Sequence, residues 1–331
     1  MLIDEIKKLN RYHFENCQIY AELIKNMGWL NKMENDPFGI YLHCNLFKYQ
    51  RIQTSASKKD DLILTSSGTT SNLKSKIYTD FETRIGQQKA LRKIMTRDII
   101  KQKTRNLPYY VITSKNILNQ QNAKYAAVKG FSMLSREINF LLTEQGAIDD
   151  EILEKLQGEN STVLLFGFTY DVYRFLKSLD DLPVNPKISS SRIILLHGGG
   201  WKKMEAESVT NEELKLLASR VLLQVEVINY YGMIEQPGSI YVECSHGYFH
   251  DHEYGTIITR DNNLEEQENG RDGIVQMISN LPKSYPGHSI LTEDVGTIFG
   301  EDCCKCGKLG KYFKIRGRLR KTQLKGCSDA K

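Results

Sequence analysis

Residues Asp61 to Asp80 read DLILTSSGTTSNLKSKIYTD, and the reading of this stretch decides the rest of the chain. Leu62, Ile63 and Leu64 form a short apolar run of the kind that makes a buried strand. Small and hydroxylated residues follow from Thr65 to Ser71, and then Lys74. Gly68 permits a tight turn and lets a ligand approach the main chain. Successive backbone N–H groups in such a turn form a concave nest for anionic oxygens, and Ser and Thr hydroxyls add donors. Lys74 would bring a mobile positive charge to the same oxygens. This is phosphate-binding chemistry without the GxxxxGK[ST] spacing of a Walker A loop. Taken alone, the same residues also fit a polar strand-to-helix loop with no ligand.

Outward from this stretch, strands and helices alternate. Tyr109–Ile112, Thr162–Phe166, Arg192–Leu196 and Gln224–Asn229 read as strands; Ala147–Leu156, Asp171–Leu179 and Glu212–Leu223 read as helices. That alternation predicts an α/β fold with a parallel sheet covered on both faces, and ligands at the carboxyl ends of its strands. Asp4 to Trp29 carries a helical pattern, and Asp80 is placed to cap a helix running to about Arg105. The latter helix is rich in Lys and Arg, which fits a solvated face or a docking face for an acidic partner. From Ser239 short β runs dominate, so the expected division is 1–238, an α/β nucleotide- and acid-binding region, and 239–331, a smaller β-rich subdomain.

Composition bounds the function. The 331 residues carry a net charge of +5, too mild to argue for nucleic acid as a partner. No apolar run approaches the roughly 18–20 residues that span a bilayer, and the charged N-terminus has no apolar signal region, so a cytoplasmic protein is expected. Seven cysteines are then reduced thiols, metal ligands or catalytic residues.

Ser66-Ser67-Gly68-Thr69-Thr70 followed by Lys74 resembles the phosphate loop, [ST]SGTTGxPK, of the adenylate-forming enzymes, with Ser71 in place of a glycine and Leu73 in place of a proline. Further matches come in order. His197-Gly198-Gly199-Gly200-Trp201-Lys202 follows a strand, and the resemblance places these glycines beside the adenine. Tyr230-Tyr231-Gly232-Met233-Ile234-Glu235 is similar to the family's YGxTE; it implies Tyr231 stacked on adenine and Glu235 holding the Mg²⁺ of ATP, chemistry suited to an aromatic face and a hard cation. Thr292-Glu293-Asp294-Val295-Gly296 resembles TGDxG and implies Asp294 on the ribose hydroxyls. Arg316-Gly317-Arg318-Leu319-Arg320 resembles GRxDD, with Arg318 at the ribose or phosphate and Arg320 at the hinge.

Family members continue for about a hundred residues beyond the hinge as a lid that carries a lysine, whereas this chain has few residues after that motif, so the lid is expected to be absent. One branch has the same layout: the acyl-protein synthetase subunit of the bioluminescence fatty-acid reductase complex, with SGTT, GGWK and YGMxEQ motifs and an acyl-carrying cysteine near the C-terminus. Cys327 matches that cysteine, and Lys321 and Lys325 nearby favour its thiolate; an unreactive tail thiol is the other reading. The resemblance implies ATP and Mg²⁺ as cofactors, a carboxylic acid of the fatty class as substrate, and an acyl reductase or carrier protein as partner. Lys202 or Lys321 is expected to meet the pyrophosphate in place of the lid lysine. Relatives like phenylacetate–CoA ligase have a C…H…CxCG pattern, which implies a structural Zn²⁺ on Cys244, His250, Cys304 and Cys306; the residues alone equally fit reduced cysteines. Open alternatives are a ligase that uses an external thiol (coenzyme A or a carrier) and a non-catalytic nucleotide-binding module.

Overall fold

A computed structural model describes residues 2–54, 61–66, 73–102, 104, 106–182, 188–201 and 207–319. In chain order the N-terminal part holds helices α1 (Leu2–Asn16), α2 (Gln18–Asn26) and α3 (Lys32–Asn35), strand β1 (Leu42–His43) and the short helix α4 (Leu46–Tyr49). Strands β2 (Leu62–Thr65) and β3 (Lys76–Thr79) precede α5 (Phe81–Ile94). Then come β4 (Tyr109–Ser114), α6 (Ala123–Phe131), β5 (Asn139–Leu142), α7 (Asp150–Gln157), β6 (Thr162–Phe168), α8 (Thr169–Asp180), β7 (Ile188–Gly198), α9 (Asn211–Val221) and β8 (Leu222–Tyr231). The last part is all strand: β9 (Tyr241–Val242), β10 (Phe249–His250), β11 (Gly255–Arg260), β12 (Asp272–Ser279), β13 (Ser289–Glu301) and β14 (Lys311–Arg318).

The alternating segments form the expected parallel sheet, in the order β5-β4-β6-β7-β8, with β9 added antiparallel at the β8 edge. Because successive side chains in a strand point to opposite faces, β6 and β7 feed two cores. Leu164, Phe166, Ile194 and Leu196 join α6 and the chain after α5 on one face. Val163, Leu165, Ile193 and Leu195 pack on α7, α8 and α9 on the other. Each fully buried Leu or Ile contributes about 1.5–3 kcal/mol by leaving water, so this doubly covered sheet anchors the strand ends.

A second sheet runs β10-β14-β13-β12-β11, and β1 pairs parallel to β13 through Leu42↔Ile290 and His43↔Leu291. Ile6 and Leu9 of α1 also pack on Ile258 and Ile278. Elements from both sides of position 238 therefore meet in this sheet, and β9 reaches back to the parallel one.

Three sequence expectations change. The Leu62–Leu64 run forms a strand, but not the buried one expected: β2 and β3 form an antiparallel hairpin in which Leu64 is buried and Ile63 is 41% exposed. The phosphate-loop segment consequently joins strand to strand, and the helix begins only after β3. The single N-terminal helix breaks at Cys17, whose extended backbone sends Ile6 and Leu9 into one cluster and Tyr20 and Ile24 into another. The helix capped by Asp80, whose carboxylate accepts from Thr83 N–H at 2.8 Å, stops at Ile94 and passes into a π-helical turn, Met95–Ile100. Part of its basic face is spent internally: Lys93 and Arg97 pair with Glu253 at 2.9 and 2.5 Å, and Lys101 with Glu226 at 2.5 Å.

Candidate active site

The parallel sheet presents β7 and β8 side by side, with Gly198 opposite Tyr230. A Cβ at Gly198 would lie 2.5 Å from the Tyr230 ring, so the close approach requires glycine. Gly199 and Gly200 follow with φ of 82° and 60°, the left-handed region that glycine adopts without strain. Thr169 at the start of α8 donates to the Gly198 carbonyl at 3.2 Å, and Trp201 packs edge-on against Tyr173 at 5.3 Å. His197 is buried; desolvation, with the Lys215 charge adding, lowers it to about 4 and keeps it neutral.

At the end of β8 the Tyr231 hydroxyl donates to Asp294 Oδ2 at 2.7 Å, while the ring lies against Tyr241 of β9 and Phe249 of β10. Burial, then the Asp294 charge, pushes this phenol well above its ordinary value. Arg318 stands opposite Asp294 in the β13–β14 register, with Nε 3.3 Å from Oδ1. Thr292 takes the Asp294 N–H at 3.0 Å and donates to the Val275 carbonyl at 2.8 Å, which fixes the strand under the carboxylate.

Glu235 is only 6% exposed. Desolvation pushes its carboxyl up, against the pull of a Ser75 hydrogen bond and the charges of Lys48 and Arg318. Neighbouring Gln236 donates to the carbonyls of Met277 and Gly287 at 3.1 and 2.8 Å, and Tyr285 donates to the Glu235 carbonyl at 2.9 Å, so the turn after Gly232 is held firmly. Ser75 N–H donates to Ser66 Oγ at 2.9 Å, and Ser66 N–H to the Ser75 carbonyl at 3.1 Å. The Ser75 bond to Glu235 brings the base of the β2–β3 hairpin to that carboxylate. Lys74 is exposed beside it. Ser67, Gly68, Thr69, Thr70, Lys202, Arg320, Lys321 and Cys327 lie outside the described residues.

Several participants carried no sequence signal. Asn45 of the turn before α4 donates to Glu293 Oε1 at 2.9 Å, and Leu319 N–H donates to the Glu293 carbonyl at 2.8 Å. Burial would raise Glu293, but Asn45, then the Lys48 and Arg318 charges, outweigh it and hold the carboxyl low. Cys44 sits among the same groups; burial, with the Glu235 and Glu293 charges adding, pushes its thiol up to about 12, so it stays protonated. Only Glu293 had a flag in sequence, as the residue before Asp294.

The second cluster is where the sequence placed it. Cys244, His250, Cys304 and Cys306 offer ligand atoms that all lie within 4.8 Å of one another. Cys306 Sγ is 3.3 Å from His250 Nε2, and the buried His250 Nδ1 has no hydrogen-bond partner among the described residues. Burial pushes Cys304 up to about 11; for Cys306 the Lys308 N–H and neighbouring thiols outweigh burial and draw it down. Lys308 itself is tied to the π-helical turn through Asp98 at 3.0 Å.

Solved structures share this fold at low identity. An open form of 2-hydroxyisobutyryl-CoA ligase, in complex with 2-HIB-AMP and CoA, is 11% identical with a TM-score of 0.72, over 96% of this chain and 69% of its own. ATP-bound MatB from Rhodopseudomonas palustris is 16% identical with a TM-score of 0.51, over 80% of this chain and 50% of its own. The amide bond synthetase McbA from Marinactinospora thermotolerans is 13% identical with a TM-score of 0.52, over 82% and 52%. The chain spans about half the length of MatB. No curated protein sequence matches it. The fold is thus the mixed α/β fold of these ligases and synthetases. More narrowly, the family model described as acyl-protein synthetase, LuxE, matches residues 4–331, and the chain belongs to that family. Among the described residues no helix is long and apolar enough to cross a membrane.

Proposed function

We propose that the chain is an ATP-dependent acyl-protein synthetase that activates a carboxylic acid of the fatty class and passes the acyl group to Cys327. The observation that carries this reading is the meeting of Tyr231, Asp294 and Arg318 with a Glu235 turn clasped to Ser66 and Ser75. A nucleotide laid across it would place its ribose at Asp294, its adenine beside Gly198–Gly200, Tyr231 and Gly232, and its phosphates toward Ser66–Thr70 and Lys74. Glu235 would hold the Mg²⁺ of that nucleotide, whose charge suits a carboxylate left in an apolar setting.

The substrate carboxylate oxygen attacks the α-phosphorus; the bond to pyrophosphate breaks and its electron pair leaves with pyrophosphate. Donors around the phosphates would stabilise the developing charge. Arg318 balances the Asp294 and phosphate charges, and Lys202 or Lys321 meets the pyrophosphate. In the second step the Cys327 thiolate attacks the acyl carbon and AMP departs, giving a thioester for a partner such as an acyl reductase or carrier protein. Cys44, protonated between carboxylates, is unsuited to that step.

The reading includes a structural Zn²⁺ on Cys244, His250, Cys304 and Cys306. Tetrahedral Zn–S bonds of about 2.3 Å put sulfurs roughly 3.8 Å apart, which the cluster's spread accommodates. Bound there, the ion would pin the loop after β9 to the turn before β14.

Intact-protein mass measured after incubation with ATP, Mg²⁺ and fatty acids tests the acceptor. An acyl-sized adduct on the wild type and none on Cys327→Ala is expected. Turnover only when coenzyme A or another free thiol is supplied, with no adduct, would instead favour a ligase with an external acceptor.

A further inference from the structure

Helix α4 carries a half-buried cation, Lys48, to which the reading above gives no role. Its placement is fixed from two sides. Phe47 is buried edge-on against Tyr285 at 6.2 Å, and the Tyr285 hydroxyl donates to the Glu235 carbonyl at 2.9 Å. Asn45, just before the helix, holds Glu293 at 2.9 Å, and Cys44 N–H donates to the Leu291 carbonyl at 2.9 Å. Asn45 and Lys48 are three residues apart, the spacing that puts neighbours on one side of a helical turn. Lys48 is half-buried, and its charge reaches both Glu235 and Glu293 without closing a hydrogen bond to either.

We propose that Lys48 is a catalytic residue of the acid-activation step, its ammonium placed to contact the α-phosphoryl oxygens of the bound nucleotide. The inference rests on the nucleotide orientation proposed above. With ribose at Asp294 and the metal-bound phosphates at Glu235, the α-phosphate is the part of the nucleotide that falls between them, and α4 is anchored toward both ends of that span, through Phe47 and Tyr285 to Glu235 and through Asn45 to Glu293. As the carboxylate oxygen bonds to the α-phosphorus, negative charge builds on the non-bridging oxygens before the pyrophosphate bond breaks. Lys48 offsets that charge by contact alone; no proton is transferred. A purely structural Lys48 would only balance Glu235 and Glu293, and its loss would appear as lower stability or weaker ATP binding with the chemical step unchanged.

The test is acid-dependent exchange of pyrophosphate into ATP by the full chain, comparing wild type with Lys48→Met and Lys48→Arg, with ATP affinity and thermal midpoint measured in parallel. Removing one preorganised donor costs about 100-fold in rate, so Lys48→Met should lower kcat for exchange by that order. KM for ATP should stay within about threefold, the pattern of an interaction made in the transition state. Lys48→Arg should recover part of the rate. Wild-type rates in Lys48→Met would overturn this inference alone. So would a rate loss matched by lost ATP binding or a fallen thermal midpoint. Absence of exchange in the wild type across all acids would sink the function reading and this inference together.

Discussion

The end of the parallel sheet and the seam between α4 and β13 build the same site by different means. The sheet end gives shape: glycines at Gly198 to Gly200, the Tyr230 ring against them, and a backbone fixed by two apolar cores. The seam gives charge: Lys48, Glu293, Asp294 and Arg318, gathered by pairings that join Asn45 to Glu293 and β1 to β13. Shape resides in short-range pattern, whereas charge is assembled by contacts between distant stretches of chain. The two halves should fail differently when broken.

Leu195→Ala on the sheet side should have the largest effect, a loss of about 2–5 kcal/mol of stability, because a fully buried methyl cluster leaves a cavity. Urea unfolding of purified protein measures it, and residual folded protein should keep exchange activity. Asp294→Asn on the seam side should do the reverse: acid-dependent exchange slows by about 100-fold or more while the urea midpoint moves little. Equal loss of stability and activity in both variants would erase the distinction.

A graded effect belongs to pH. His13 of α1 and His288, just before β13, stack at 4.9 Å in the interior, with His13 Nδ1 on Thr54 Oγ1 at 2.7 Å and His288 Nε2 on Asn10 Oδ1 at 2.7 Å. Desolvation lowers His13 to about 3, and lowers His288 well below its ordinary value, with His13 adding to the effect. Below about pH 6.5 the unfolded chain binds protons that the folded chain refuses, so stability is full above that pH and falls as pH drops toward the folded values. The slope approaches about 1.4 kcal/mol per pH unit for each histidine. Urea midpoints at pH 7.5 and 5.0 read it, and His13→Gln should flatten the slope. A midpoint independent of pH would contradict the buried neutral pair. The smallest effect is expected of Asn45→Ala, about 1–2 kcal/mol from one part-buried bond to a carboxylate, measured by the same titration.

How much could be read in advance follows the same division. Continuous apolar runs at Thr162–Phe166 and Arg192–Leu196, separated by helical stretches, announced the parallel sheet, since strands covered on both faces need apolar residues on both. The Cys244, His250, Cys304 and Cys306 grouping was legible from a family pattern, and the four ligand atoms do lie together. The hairpin partner of Leu62–Thr65 was missed because the apolar run says that a strand forms, not which strand pairs with it. Lys48 and Asn45 were invisible for a stronger reason: nothing in NLFKY refers to Glu293, which lies 248 residues beyond Asn45. That Glu253 and Glu226 neutralise part of the basic helix could not be read from the helix itself, because both are far away in sequence.

The most direct test of a single site built from both halves is a crystal structure with a non-hydrolysable acyl-sulfamoyl adenosine. We expect the ribose hydroxyls on Asp294, the adenine beside Gly198–Gly200, and the sulfamoyl group facing Lys48. A ligand bound away from both the glycine strand end and the Asp294 seam would contradict the account.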